Sequence, residues 1–157
     1  LQQCIAGKHH ALVFSQWTNF LDLIEKELEK SNINFLRIDG STKNRQEVVE
    51  KFQSSKEFPV LLLSLKAAGI GLNLTAADHV FIMDPWWNPA IEEQAADRSH
   101  RIGQKKPVIV HKIVTKNTVE EKIIKLQNFK KSIANSIVGN ANKSAQLTRN
   151  DIVELLG

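Results

Sequence analysis

The run richest in reactive side chains is Gln94-Ala95-Ala96-Asp97-Arg98-Ser99-His100-Arg101-Ile102-Gly103-Gln104. At roughly 100° per residue, Gln94, Asp97, Arg98 and Arg101 share a helical arc of about 100°. Ile91, Ala95 and Ile102 occupy the adjoining arc and can pack it down. Asn88 can cap such a helix, with Pro89 at its first position. The pattern predicts a helix over residues 89–101. Arginine keeps a fixed, always charged fork that suits phosphate oxygens, so two of them one turn apart can flank one triphosphate. Asp97 can orient one of the pair. The plainer alternative is a surface helix with an i,i+4 ion pair between Asp97 and Arg101.

Several other chemistries are excluded. No G-x-x-x-x-G-K-[ST] run is present, so the chain has no phosphate-cradling P-loop. No expected strand ends in paired acids able to hold Mg²⁺. Gly69-Ile70-Gly71 could open a dinucleotide fingerprint, but position 74 is Leu, not Gly, which disfavours a Rossmann-type metabolic enzyme. The histidines (His9, His10, His79, His100, His111) show no metal-ligand spacing with acids or Cys, and the adjacent His9 and His10 are expected to need no special role. The single Cys4 excludes a disulfide framework and a Cys-rich zinc module.

These residues need a scaffold. Apolar runs predict strands at 11–14, 34–38, 60–63, 79–83 and 108–114. Between them, Phe20, Leu21, Ile24 and Leu28 recur at helical spacing over 18–30, and Val48, Val49 and Phe52 over 45–53. A long helix opens at Thr118, where Thr118 and Glu121 are expected to form a capping box, and runs to about residue 138. Val119, Ile123, Leu126, Ile133 and Ile137 line one side of it and Lys122, Lys125, Lys130 and Lys131 much of the rest. Alternating strands and helices with continuous apolar strands predict an α/β fold, a mostly parallel sheet between helical layers. Ligands in such sheets bind at the carboxyl ends of the strands. Function is therefore expected in the loops after Phe14, Ile38, Leu63 and Met83.

The 157 residues amount to one domain, and no apolar run approaches the length of a membrane span. The expected organisation is a lobe over 1–138 that includes the helix 118–138. A small, polar linker follows over 139–147, then a short terminal helix over 148–157. The Leu start and the absent P-loop suggest a piece cut from a longer protein. Charge is uneven: the total is +4, with −4 over residues 1–97 and +8 over 98–157. A basic half suggests a polyanion partner, or simply a solvated lysine-rich helix.

Four ordered blocks carry a family resemblance. Asp84–Gln104 (DPWWNPAIEEQAADRSHRIGQ) resembles the final motif of the SWI/SNF-family helicase-like ATPases, in helicase superfamily 2. ALVFSQW (Ala11–Trp17) resembles the fourth motif and RIDGST (Arg37–Thr42) the block after it. LLLSLKAAGIGLNLTAADHVFIMD (Leu61–Asp84) resembles the fifth. The resemblance covers about residues 11–130 and implies the carboxyl-terminal RecA-like lobe of a two-lobed DNA translocase, here with a helical extension.

In such a motor a first lobe carries the P-loop and holds ATP with Mg²⁺ in the cleft between lobes. The resemblance then implies that Arg98 and Arg101 are paired arginine fingers, with Gln94 lining the same cleft. Gly71 and Asn73 would face nucleotide, with Asp97 beside them; Asn73 stands where many superfamily members carry an Asp for the ribose. Ser41, Thr42 and Arg45 match the block that grips a DNA backbone strand. Ser64, Lys66 and Gly69 match a DNA-contacting loop, in which Ala68 replaces one of a usual pair of glycines. Trp87 matches a Trp that touches the DNA groove, whereas Trp86 reads as core, and Gln16 and Trp17 border the DNA side. The long helix would brace one lobe against the other.

The expected partners are double-stranded DNA and the amino-terminal lobe of the same chain, with no membrane, and the piece itself is expected to be a monomer. The parent chain would be a DNA-dependent ATPase, and this piece alone would not hydrolyse ATP. The expected location is intracellular: the nucleoid if bacterial, the nucleus if eukaryotic, with the LTRNDIVELLG ending looking more bacterial. The alternative from another class is a catalytically inactive helicase-fold module that binds DNA or protein.

Overall fold

A computed structural model describes residues 1–68, 72–86, 90, 94, 97–99, 104 and 106–138, and side chains within these except 68 and 130–138. Five strands, β1 (Ala11–Ser15), β2 (Phe35–Ile38), β3 (Val60–Ser64), β4 (His79–Ile82) and β5 (Ile109–Lys112), form one sheet in the order β2-β3-β1-β4-β5. All four pairings are parallel, with Ser15 opposite Ser64 and Phe14 opposite Ile82. The helices are α1 (Gln2–Ala6), α2 (Thr18–Lys30), α3 (Arg45–Ser54), α4 (Leu65–Ala68) and α5 (Val119–Val138).

Side-chain alternation divides the core into two layers. Leu12, Phe14, Leu61, Leu63, Val80 and Ile82 face α3 and the segment 72–77. Val13, Val60 and Leu62 face Leu21 and Leu28 of α2, with Leu1 and Ile5 beside them. A right-handed crossover explains this division. Only the β1-to-β2 connection moves toward the β2 edge, so among the connecting helices only α2 lies on its face, beside the amino-terminal α1. Every later connection moves the other way and packs on the opposite face. Each fully buried Leu or Phe in these layers contributes about 2 kcal/mol.

The α2 helix stops where its sequence says it should. Asn32 takes a φ of 52°, and the Ile33 amide returns to the Leu28 carbonyl at 2.9 Å. A left-handed turn residue of this kind satisfies the last carbonyls and redirects the chain into β2.

The structure corrects four sequence expectations. β5 is shorter than residues 108–114, and it is an exposed edge strand, since Ile109, Val110 and Ile113 keep much of their surface. Helices α1 and α4, one of five residues and one of four, add two elements that have no periodic signature in the sequence. Thr118 does cap α5 by accepting from the Glu120 amide at 3.3 Å, but the reciprocal carboxylate is that of Glu120, not Glu121, and it binds the Thr115 amide at 2.6 Å. Finally, Ala90 and Gln94 are helical, but Asp97, Arg98 and Ser99 form a turn. The carbonyls of Arg98 and Ser99 accept from the Leu74 amide and Gln104 Nε2, tertiary bonds that periodicity does not encode. The remainder of 89–101, the linker 139–147 and the helix 148–157 lie outside the described residues.

Candidate functional site

Parallel strands bring the expected loops to one edge of the molecule. Across the sheet they follow in the order Ser41–Arg45 after β2, Ser64–Lys66 after β3, Gln16–Trp17 after β1 and Asp84–Trp86 after β4. The chain leaves β1 toward one side of the sheet and β4 toward the other, the kind of switch point at which α/β sheets bind ligands. Asp84 links the two strand ends: its buried carboxylate accepts from the Gln16 amide at 2.9 Å. The Ser15 hydroxyl accepts from the Trp17 amide at 3.0 Å and fixes the turn that presents Trp17, which is 64 % exposed.

The β2–α3 loop is built around Asp39. Its Oδ1 accepts from the Ser41 amide at 2.8 Å and the Ser41 hydroxyl at 2.6 Å. The Thr42 hydroxyl accepts from the Asp39 amide at 3.0 Å. Arg45 donates to the carbonyls of Thr42 and Asp39. Ser41 and Arg45 therefore spend these donors within the loop, which prearranges the turn at the start of α3. The hydrogen bond from the Ser41 hydroxyl holds the Asp39 carboxyl below its ordinary value, against burial and with help from the Ser41 amide and Arg37. Arg37 bridges Asp39 to α2, reaching Asp22 at 2.6 Å and Glu25 at 3.0 Å. Burial works against its charge, but the bonds from Asp22 and Glu25 raise its pKa further above the ordinary value.

On the β3 side, Ser64 is buried, and its hydroxyl accepts from the Ala67 amide at 3.3 Å, capping α4; Lys66 is exposed on that turn. Gln94 and Asp97 are exposed, and Asn73 is exposed, whereas the Arg98 side chain is buried at 5 % exposure. Trp86 packs against the core layer under α3, as its core reading expects, and its carbonyl accepts from buried Gln127 of α5. Gly69, Gly71, Trp87 and Arg101 lie outside the described residues.

Two glutamines that the motif reading gave no role hold this assembly together. Gln53 of α3 donates to the Asn73 carbonyl at 2.9 Å and accepts from the Ala76 amide at 2.7 Å. Gln104 donates to the carbonyls of Ala77 (2.8 Å), Thr75 (3.1 Å) and Ser99 (3.3 Å). With the Leu74–Arg98 backbone bond of 2.9 Å, they tie α3, the segment 73–77 and the Arg98 turn into one unit. A glutamine late in an amphipathic helix gives no sequence signal for Gln53; Gln104 at the end of the last motif gave a weak one.

The model of the helicase conserved C-terminal domain matches residues 1–103. DNA repair protein RAD5 of Cryptococcus neoformans is 50% identical over 153 residues, covering 96% of this chain and 13% of that protein. DNA repair protein RAD5B of Arabidopsis thaliana is 51% identical over 140 residues, 87% of this chain and 11% of that one. The helicase-like transcription factor of Oryctolagus cuniculus is 48% identical over 153 residues, 93% and 15% respectively. The chain thus spans only about an eighth of the length of these relatives. Among solved structures, the crystal structure of the C-terminal part of the Fun30 ATPase domain superposes with a TM-score of 0.76 at 36% identity, over 96% of this chain and 44% of that one. Sheet order, parallel register and sequence match agree on a RecA-like carboxyl-terminal lobe, and the chain belongs to the helicase conserved C-terminal domain family, as a homologue of the Rad5 and SWI2/SNF2 helicase-like ATPases.

Proposed function

We propose that this chain is the second motor lobe of an ATP-dependent translocase or remodelling ATPase that acts on double-stranded DNA. A first lobe holds ATP and Mg²⁺, and this lobe completes the site. Arg98 and Arg101 offset charge developing on the transferred phosphoryl oxygens, and Gln94, Asp97, Gly71 and Asn73 border the nucleotide. Ser41, Thr42, Arg45, Ser64, Lys66, Gly69 and Trp87 form the DNA side. One observation carries the reading: the loop unit that ties α3 to the Arg98 turn through Gln53, Leu74 and Gln104 joins the DNA-side block to the finger block. DNA bound at one end of that unit can thereby reposition the arginines at the other. The DNA-repair names of relatives in fungi and plants favour the nucleus over the nucleoid.

The alternative of an inactive helicase-fold module has one observation on its side, the burial of the Arg98 side chain. The test is made in a two-lobed chain that contains this lobe. Arg98→Ala and Arg101→Ala are expected to cut DNA-stimulated ATPase by about 10³-fold or more while sparing DNA affinity. Undiminished turnover in both variants would sink the finger assignment.

A further inference from the structure

The four residues His9, Asp78, His79 and His111 are scattered in sequence, and the fold gathers them at the end of the sheet opposite the loops described above. His9 lies in the turn before β1, Asp78 and His79 open β4, and His111 lies on β5. His9 Nδ1 is 2.6 Å from Asp78 Oδ2. His79 Nδ1 is 3.0 Å from His111 Nε2, with the two rings nearly parallel. The His9 ring meets the His79 ring edge-on at 4.8 Å. One potential ligand atom each from His9, Asp78 and His79 lies within 4.8 Å of the others. Asp78 is 3 % exposed, and its Oδ1 has no hydrogen-bond partner among the described residues.

Sequence spacing gives no sign of this grouping; strand adjacency creates it. Pairing His79 with Ile109 and Phe81 with His111 puts both imidazoles on one face of neighbouring strands. The His10 carbonyl accepts from the amides of Asp78 and His79, each at 3.2 Å, which draws His9 to the same place. Among the described residues that face is open here: α2 covers the other half of it, and a cavity of about 530 Å³ is lined by residues that include Cys4, Gly7, His9, His79, Phe81 and His111.

We propose that His9, Asp78 and His79 bind a zinc ion, or another imidazole-preferring divalent transition metal, with the fourth position open to this cavity. Two imidazoles and one carboxylate are an established zinc donor set, and at Zn–N of about 2.0–2.1 Å tetrahedral ligand atoms stand about 3.3 Å apart. The 2.6 Å His9–Asp78 contact must open, and separations of up to 4.8 Å must close, as the ion replaces the shared proton and draws the three ligands together. His111 positions the His79 ring and fixes its tautomer, as outer partners of metal-bound histidines do. The Lys106 ammonium, 3.1 Å from Asp78 Oδ2, competes for the carboxylate, but its side chain is largely exposed and free to swing away. The ion would pin the turn before β1 to β4, at the end of the sheet opposite the nucleotide and DNA loops.

The test titrates zinc alone into the untagged chain and follows binding by calorimetry and the thermal midpoint. One equivalent should bind and raise the midpoint, and Co²⁺ should give the visible bands of a tetrahedral site. His9→Ala and His79→Ala should each weaken binding by more than about tenfold. Lys106→Ala, a change on an exposed side chain, should tighten it severalfold, and Cys4→Ser should leave it unchanged. Absence of zinc uptake by the unaltered chain, or unaltered affinity in both histidine variants, overturns the proposal. Loss of binding in Cys4→Ser overturns the assignment of its ligands.

Discussion

At the residue scale, the loop between β2 and α3, proposed to face DNA, depends on one carboxylate. Asp39 accepts from the Ser41 amide, the Ser41 hydroxyl and Arg37 Nε, and its pKa is depressed. A carboxylate with a depressed folded-state pKa contributes stability above its unfolded value, and that contribution is lost as pH falls through the folded one. Asp78 acts in the same direction: burial opposes its charge, but the bonds from His9 and Lys106 prevail and lower its pKa. Asp39→Asn is therefore expected to cost about 1.5–3 kcal/mol at neutral pH, the range for a hydrogen bond to a charged group. Thermal melts taken from pH 7 down through the carboxylate range should show a shallower acid decline in the variant. An equally steep decline would mean that Asp39 does not govern the loop. The sequence marked Ser41, Thr42 and Arg45 by motif but could not show that they bond first to one another and to Asp39.

At the element scale, α3 links the two halves of the candidate site. Its amino end follows the Ser41–Arg45 loop, and Gln53 near its carboxyl end holds the backbone of residues 73–76. Gln53→Ala leaves the partly buried Ala76 amide without its acceptor, a loss worth about 1–3 kcal/mol. Gln53→Glu keeps that acceptor but loses the donor to the Asn73 carbonyl, so it should cost less. Urea unfolding of the two variants orders them, and equal stability of both with the unaltered chain would show that the clamp carries no energy. The helices α2 and α3 were legible because their apolar residues repeat with the helical period and one face of each is buried. The Arg98 turn was not, because the partners of its carbonyls are Leu74 and Gln104, brought there by folding.

At the scale of the whole molecule, charge and the proposed DNA site do not coincide. Residues 98–157 carry +8, yet the loops that end β2 and β3, with Ser41, Thr42, Arg45 and Lys66, belong to the half whose net charge is −4. The proposed DNA side would then make few, local backbone contacts, and affinity should fall only moderately with salt. Lys66→Ala should weaken binding of duplex DNA about equally for all sequences and reduce the slope of log K against log salt by about 1. A slope unchanged by Lys66→Ala, but reduced by removing lysines of α5 such as Lys122 and Lys125, would move the DNA site to the basic half.

Taken alone, the sequence determined the fold class, the five strands within a few residues and the order of the four motif blocks. It could do so because burial on both faces writes continuous apolar runs, and helical packing writes a 3.6-residue period, directly into the chain. Tertiary structure alone decided which polar atoms meet. Gln53 with Ala76, Asp84 with Gln16 and His9 with Asp78 are separated by 23, 68 and 69 residues, and a hydrogen bond leaves no periodic trace across such distances. The histidines read as unrelated for the same reason: the parallel pairing of β4 with β5 made them neighbours, and pairing is a property of the folded sheet.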